Sequence, residues 1–378
     1  MQQSPRMQPR GILNLGNTCY LNAALQLLFR TTLTSYATKA EYDNQSAMDC
    51  YKRFLKKYDT VTDNIVPKSL LKMLAANNYD KYLMNRQEDS QELMSHLLDV
   101  LEECGTAEQK KEFGKLFDSK LESTLICPDC HHKSVTNTPL RFLSLSLPKS
   151  KQHPSMLHSG MYDVSSDEED EEDEEDEDIE DIEEDDDSYN DALMNEQSDD
   201  EEEVIENKTL KRLHGQMNSN NDKYLVFNHI KMSKEKEKEK EKEKSKIEKQ
   251  TLDDLVKCYS STEILGKGNE WHCPKCKKNV QAEKQLLLGD LSPNVIVHFK
   301  RLHMFYKNSE EIIVPMEWKG KQLNGIVVHD GGIHGGHYYG YIKHDNKWYC
   351  TNDNSVREVE IDHIQKEANG GYLLLYQN

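Results

Sequence analysis

Residues 150–249 cannot build a hydrophobic core, and they split this chain in two. Positions 163–206 carry 28 Asp and Glu and no Lys or Arg. Strict Lys/Glu alternation begins at Lys234 and sets like charges at i,i+4, which weakens a helix even though the i,i+3 pairs are opposite. Tyr224-Leu-Val-Phe is the one apolar island. So little apolar surface cannot offset the entropy of ordering the chain, and the segment is expected to be disordered. The flanks must then fold with each other. Removing 150–249 leaves 278 of the 378 residues, which suits one large domain carrying an insertion. The expected organisation is an N-terminal tail at 1–10, a first part at 11–149, the insertion at 150–249, and a second part at 250–378.

The net charge of −20 belongs to the insertion. Outside 163–206 there are 40 acids against 48 bases, so the body is about +8 and mildly basic. That is too weak for a nucleic-acid binder with a concentrated basic face, and the acidic segment would oppose such binding. An acidic run of this kind is ordinarily a solvated, self-repelling segment. The alternatives are a basic partner or a strap over the basic body. Ser165, Ser166 and Ser198 precede acids and would suit an acid-directed kinase.

The opening residues MQQSPRMQPRGILN contain no apolar signal core, and no run approaches the roughly 18 apolar residues of a membrane span. Nine cysteines, four of them in two C-x-x-C pairs, favour metal ligands and a free thiol over a disulfide framework. The expected setting is reducing and intracellular, cytoplasmic and/or nuclear. The sequons at Asn44 and Asn207 are then chance matches.

Apolar spacing predicts a helix from Cys19, with Leu21, Ala24, Leu25 and Leu28 on its face, and a second through Leu93, Leu97, Leu98 and Leu101. Strands are predicted at 142–147, at 294–299, and at 325–329, 340–343, 348–350 and 372–376, between Gly, Asn and Asp turns. Helices first and strands later imply an α+β fold.

Gly16 and Asn17 form a loop, Thr18 can cap, and Cys19 falls in the first helical turn. The dipole and unpaired amides there favour a thiolate, although a buried thiol starting a core helix is the plain alternative. In the C-terminal half, Gly331-Gly-Ile-His-Gly-Gly-His337 is a glycine-rich approach to a strand that starts with histidine. Asn352 and Asp353 follow fifteen residues after His337, and a hairpin would return them beside it. Thiol, imidazole and an orienting Asn or Asp are the parts of acyl transfer. His329, His334 and His344 have no such surroundings and are expected on the surface or behind the site.

Cys127-Pro-Asp-Cys130 and Cys273-Pro-Lys-Cys276 are two knuckles on either side of the insertion. Four thiolates fit a closed tetrahedral zinc site with a structural role. His131, His132 and His272 could substitute as ligands. Cys50, Cys104, Cys258 and Cys350 have no partner pattern.

The ordered motifs resemble the ubiquitin-specific proteases, the papain-like deubiquitinase family. Gly11-Ile-Leu-Asn-Leu-Gly-Asn-Thr-Cys-Tyr-Leu-Asn-Ala resembles the Cys box. Gly335-Gly-His-Tyr-Tyr-Gly-Tyr with Trp348 and Asn352-Asp353 resembles the His box. Gln87-Glu-Asp-Ser-Gln-Glu-Leu, Leu143-Ser-Leu-Ser-Leu-Pro and Ile296-Val-His-Phe-Lys-Arg resemble the intervening blocks. Two positions depart from the pattern, Thr351 for the usual Phe and Glu88 for the second Gln.

The resemblance implies a papain-like fold with a helical thumb, a β-rich palm and zinc-ribbon fingers that grip ubiquitin. It implies Cys19 as nucleophile, His337 as general base, Asn352 at the third triad position with Asp353 beside it, and Asn14 as an amide donor to the oxyanion. Asp89 and Gln91 would hold the ubiquitin tail, and Gly335, Gly336 and Tyr338 would line the channel for its Gly-Gly end. The implied activity is hydrolysis after the C-terminal Gly of ubiquitin in ubiquitinated proteins. The competing expectations are a catalytically weak ubiquitin-binding scaffold, which would be expected to lack Cys19 or His337, and another thiol acyl transferase, which would not explain the knuckles.

Overall fold

In this computed structural model the described residues are 7–60, 65–83, 86–148, 249–333 and 335–378. They belong to one unit assembled from both flanks, 1–153 and 249–378. The expectations for 150–248, including the acidic run, its serines, the apolar island and the Lys/Glu repeat, lie outside the described residues, as does His334.

The N-terminal part is helical: α1 Cys19–Leu28, α2 Leu33–Lys39, α3 Ala47–Thr60, α4 Lys68–Ala75, a 3₁₀ turn at Asp80–Leu83, α5 Ser90–Glu103 and α6 Ala107–Phe117. All ten residues of α1 are buried. A helix that is apolar on every side belongs inside a core. Its two amides are satisfied there: Asn22 donates to the Ile12 carbonyl, and Gln26 donates to the Arg10 carbonyl while accepting from the Tyr58 hydroxyl. Residues 7–10, expected in a tail, pack on this lobe. Met7 is buried and its carbonyl accepts from Arg30, and the Arg10 amide donates to Tyr58 at 2.8 Å.

Three strands follow, β1 Ser119–Ile126, β2 Lys133–Leu140 and β3 Phe142–Ser146. After the insertion come α7 Leu252–Tyr259, β4 Glu263–Ile264, β5 Trp271–Cys273, β6 Lys278–Val280, β7 Glu283–Leu288 and β8 Asn294–Lys300. The chain ends with β9 Glu317–Trp318, β10 Lys321–Gly331, β11 Gly336–His344, β12 Lys347–Asn352, β13 Ser355–Val359, α8 Ile361–Asn369 and β14 Leu373–Gln377.

The palm is one sheet in the order β13-β12-β11-β10-β14-β8-β3, with β9 on β10. Only β3 and β8 run parallel in it, and that pair joins the two flanks of the insertion. The fingers form a second sheet, β2-β1-β7-β4, and β5 pairs with β6 alone. One core fills the space between the helical lobe and the palm, a second lies on the other side of the palm, and a small third surrounds the cysteines. Arg301, at the end of β8, is buried and donates to the carbonyls of Gly371, Asn308, Glu310 and Asn369. It locks the loop after β8 to the turn before β14.

β8, β10, β11 and β12 are longer than the spacing predicted, whereas β3 ends one residue earlier and β14 is shifted by one residue. β13 and α8, near the candidate site, are among the elements that the spacing did not predict. The first is a short edge strand carrying Arg357 and Glu358. The second buries only Ile364 and Ala368. No helix among the described residues is long and apolar enough to cross a membrane, and all nine cysteines are free thiols.

Candidate active site and metal centre

The loop before α1 closes on itself. Thr18 occupies the N-cap position, but its side chain does not cap the helix. Its hydroxyl instead accepts from the Leu15 amide at 2.9 Å and meets Asn14 Oδ1 at 3.1 Å, while its own amide donates to Asn14 Oδ1. The expected cap is thus replaced by a loop lock, with Asn17 at a φ of 49°. That arrangement sets Cys19 as the first residue of α1, against β11. The thiol is 3% exposed.

Burial raises the Cys19 thiol above its ordinary value, the Tyr338 backbone hydrogen bond lowers it, and the Asp353 charge raises it. The position at the helix start is as expected, and desolvation outweighs the backbone amides that lower the thiol there. Among the described residues no hydrogen bond joins Cys19 to His337. Catalytic contacts of this kind are often loose before substrate arrives.

His337 is the second residue of β11, and Asn352 is the last of β12. The register pairs Gly340 with Thr351, so 337, 339 and 352 share one face. Asn352 Oδ1 lies 2.7 Å from His337 Nε2. An amide oxygen there requires the imidazole proton on Nε2, which leaves the Nδ1 lone pair as the base.

Asp353 does something different. It opens the β12–β13 turn with a φ of 48°, and its carboxylate accepts from Asn14 Nδ2 at 2.9 Å and Asn22 Nδ2 at 2.7 Å. Its carbonyl accepts from the Ile12 amide at 2.8 Å. Gly11 is needed beside this turn, because a Cβ there would sit 2.2 Å from the Asn354 carbonyl oxygen. Asn352 and its neighbour Asp353 therefore act apart: one touches the imidazole, and the other ties Asn14 and α1 to the palm.

Asp89 is the N-cap of α5, and its Oδ1 accepts from the Gln91 and Glu92 amides at 2.7 and 3.2 Å. Its second oxygen accepts from the Tyr372 hydroxyl. Gln91, in the first turn of α5, is half-buried. Gln87, which carried no assigned role, accepts from the Gly336 amide at 2.9 Å and so bridges the α5 lobe to the glycine-rich loop. Gly335 lies beside it and is exposed. Gly336 is boxed in, since a Cβ would fall 2.3 Å from both the Asp330 carbonyl oxygen and His329 Nε2.

The Tyr338 ring is buried between His329 and Tyr372, with ring centres 4.6 and 5.7 Å away, so it backs the loop from inside. His329 and His298 are both buried behind the site, and burial is the main reason each is lowered to about 4. His344 is buried beside Arg30 at 3.2 Å, away from the surface.

The two knuckles meet across the insertion. The four thiols of Cys127, Cys130, Cys273 and Cys276 lie within 4.8 Å of one another. The cross-knuckle distances are 3.8 Å for Cys127–Cys276 and 3.7 Å for Cys130–Cys273. A tetrahedral ion with metal–sulfur bonds of about 2.3 Å has sulfur–sulfur edges of about 3.8 Å, so the donor set fits such an ion. His131 and Lys277 take left-handed turns, with φ of 54° and 57°, one residue past the second cysteine of each knuckle. The Cys276 amide points at Cys273 Sγ at 3.5 Å. The neighbouring histidines are engaged elsewhere: His132 stacks on Trp271, and His272 bonds Asn279.

A helical lobe whose α1 starts at Cys19 and packs on β11, a β palm that pairs His337 with Asn352, and cysteine-tipped fingers define a papain-like α+β body. The family model described as ubiquitin carboxyl-terminal hydrolase matches residues 10–376, and the chain belongs to that family, as one of its ubiquitin-specific protease members. Ubiquitin carboxyl-terminal hydrolase 12 of Saccharomyces cerevisiae is 33% identical over 147 residues, which is 33% of this chain and 12% of that protein. Ubiquitin carboxyl-terminal hydrolase 4 of Bos taurus is 32% identical over 196 residues, or 40% of this chain and 20% of that protein. The matched segments are thus a small part of these relatives' length.

Among solved structures, a SAGA DUB module of Ubp8, Sgf11, Sus1 and Sgf73 bound to monoubiquitin aligns with a TM-score of 0.61 and 17% identity. It covers 98% of this chain and 69% of that one. The same module bound to ubiquitin aldehyde aligns at 0.59 and 16% identity, over 100% and 70%. These similarities concern the fold.

Proposed function

We propose that this protein is a thiol-dependent deubiquitinase that cleaves the isopeptide or peptide bond after the C-terminal Gly of ubiquitin. The observation that carries the reading is the 2.7 Å contact between Asn352 Oδ1 and His337 Nε2, which leaves Nδ1 as a base on the strand packed against Cys19. In the proposed reaction His337 takes the Cys19 proton and Sγ attacks the glycine carbonyl carbon. The amide of Asn14 steadies the oxyanion. As the C–N bond breaks, His337 returns the proton to the leaving lysine Nζ, and a thioester remains. Water activated by the same imidazole then releases the ubiquitin carboxylate and restores the thiol.

Gly335 and Gly336 would pass the Gly-Gly end, and Gln91, Asp89 and Tyr338 would frame the tail's approach. Asp353 would act through Asn14 and Asn22. Zinc is the ion proposed for the four thiolates, where it would supply a closed structural knot to the fingers. Its proposed partners are ubiquitin and ubiquitinated proteins.

One observation favours the weak-scaffold reading: the Cys19 thiol is buried and raised, with no imidazole bond. Cleavage of purified diubiquitin separates the two. Monoubiquitin from wild type and none from Cys19→Ala supports the hydrolase. Intact diubiquitin that nevertheless binds supports the scaffold.

A further inference from the structure

A cavity of about 360 Å³ lies on the same face of the palm as the His337–Asn352 pair. Three strands build it in two rungs. Cys350 pairs with Tyr341 on one side and Arg357 on the other, while Asn352 pairs with Ser355 and lies next to Tyr339. His363 and Glu367 of α8 close it. Asn352 therefore belongs to both the cavity and the candidate triad.

The charged groups of this cavity are not equivalent. His363 Nε2 meets the Tyr341 hydroxyl at 2.9 Å and stands 3.8 Å from Glu367, which also accepts from the Tyr339 hydroxyl at 3.5 Å. Glu358, next to Arg357, is taken by Lys347 at 2.9 Å. Arg357 forms no salt bridge among the described residues and interacts with the Cys350 thiol. The cavity thus presents one guanidinium without a carboxylate, beside the hydroxyl of Ser355 and the amide of Asn352.

Its place relative to the reacting bond follows from the proposed hydrolysis, on which this inference rests. The ubiquitin tail would run over Gly335 and Gly336, on the side closed by Gln87. The leaving amine must stand beside His337 to receive its proton. The polypeptide that carries that amine then continues on the other side of the imidazole, where Asn352 and Tyr339 lead into the cavity.

We propose that the cavity is the acceptor-side subsite, and that it takes an Asp or Glu side chain near the modified lysine through Arg357. A carboxylate there replaces the missing ion-pair partner with a planar, two-pronged contact.

The test compares three substrates by kcat/KM: ubiquitin joined through an isopeptide bond to a lysine peptide with Glu on both sides, the same with Gln, and ubiquitin–aminocoumarin, which has no acceptor peptide. Wild type is expected to prefer the Glu peptide by about three- to tenfold, the scale of a partly exposed ion pair. Arg357→Gln should level the preference and Arg357→Glu should invert it, with coumarin hydrolysis within about twofold of wild type. Equal cleavage of both peptides by wild type would overturn the subsite, as would a preference that survives Arg357→Glu. A proportional fall on all three substrates would make Arg357 merely structural and also overturn it. Wild type inert toward the coumarin substrate would sink the hydrolase reading itself, and the subsite with it.

Discussion

Asn352 holds His337 Nε2 at 2.7 Å, and the very next residue turns its carboxylate away, to Asn14 and Asn22. Adjacent residues at the end of β12 therefore serve different ends, one the imidazole and the other the anchoring of the Cys loop. Asn352→Ala is expected to lower kcat/KM on a ubiquitin reporter by about 10–100-fold and to leave Tm nearly unchanged, since the side chain is exposed. Asp353→Ala strands two amide groups, at about 1–3 kcal/mol for each that stays unsatisfied. It should lower Tm by several degrees as well as kcat. Thermal melts of the two variants decide it, and equal Tm values would contradict the division.

The sign of the Asp353 effect on Cys19 gives a second prediction. Burial raises the thiol and the carboxylate adds to that rise. Removing the charge with Asp353→Asn should favour the thiolate and move the pH midpoint of Cys19 alkylation downward. Intact mass against time, corrected with Cys19→Ala, reports the rate. A midpoint that stays or rises would show that the carboxylate does not act on the thiol.

His298 and His329 are lowered from 6.5 to about 4, chiefly by burial. Between those values an unfolded chain binds protons that the folded chain refuses. Stability is therefore intact above about pH 6.5 and is lost as pH falls toward 4. For His298 the slope approaches about 1.4 kcal/mol per pH unit. His298→Gln should flatten the dependence of Tm between pH 7 and 5. An unchanged slope would mean that other groups set it.

If the four-thiol cluster holds zinc, elemental analysis should return about one zinc per chain. Cys273→Ser should abolish it and expose the fingers, β1 and β7 first, to proteolysis. Full metal occupancy in that variant would place the ion elsewhere.

Local chemistry made the Cys loop, the knuckles and the start of β11 legible, because glycines, cysteines and histidines at fixed spacing are rarely neutral. Strand ends were less so: Lys321 and Gln322 extend β10 through pairing with β9, a contact that spacing along the chain does not carry. β13 was missed because an edge strand with Arg357 and Glu358 has little apolar alternation to read. The separate tasks of Asn352 and Asp353 depend on a left-handed turn at Asp353, which a pair of adjacent polar residues does not announce. Thr18 likewise looks like a cap in sequence and becomes a loop lock only because Asn14 lies within its reach.

Hydrolysis as proposed requires Cys19 to attack the carbonyl end of ubiquitin. Intact mass after mixing with ubiquitin that carries a thiol-reactive C-terminal electrophile tests it most directly. One added ubiquitin on wild type, and none on Cys19→Ala, is the predicted result. No adduct on wild type, or an adduct that persists on Cys19→Ala, would contradict it.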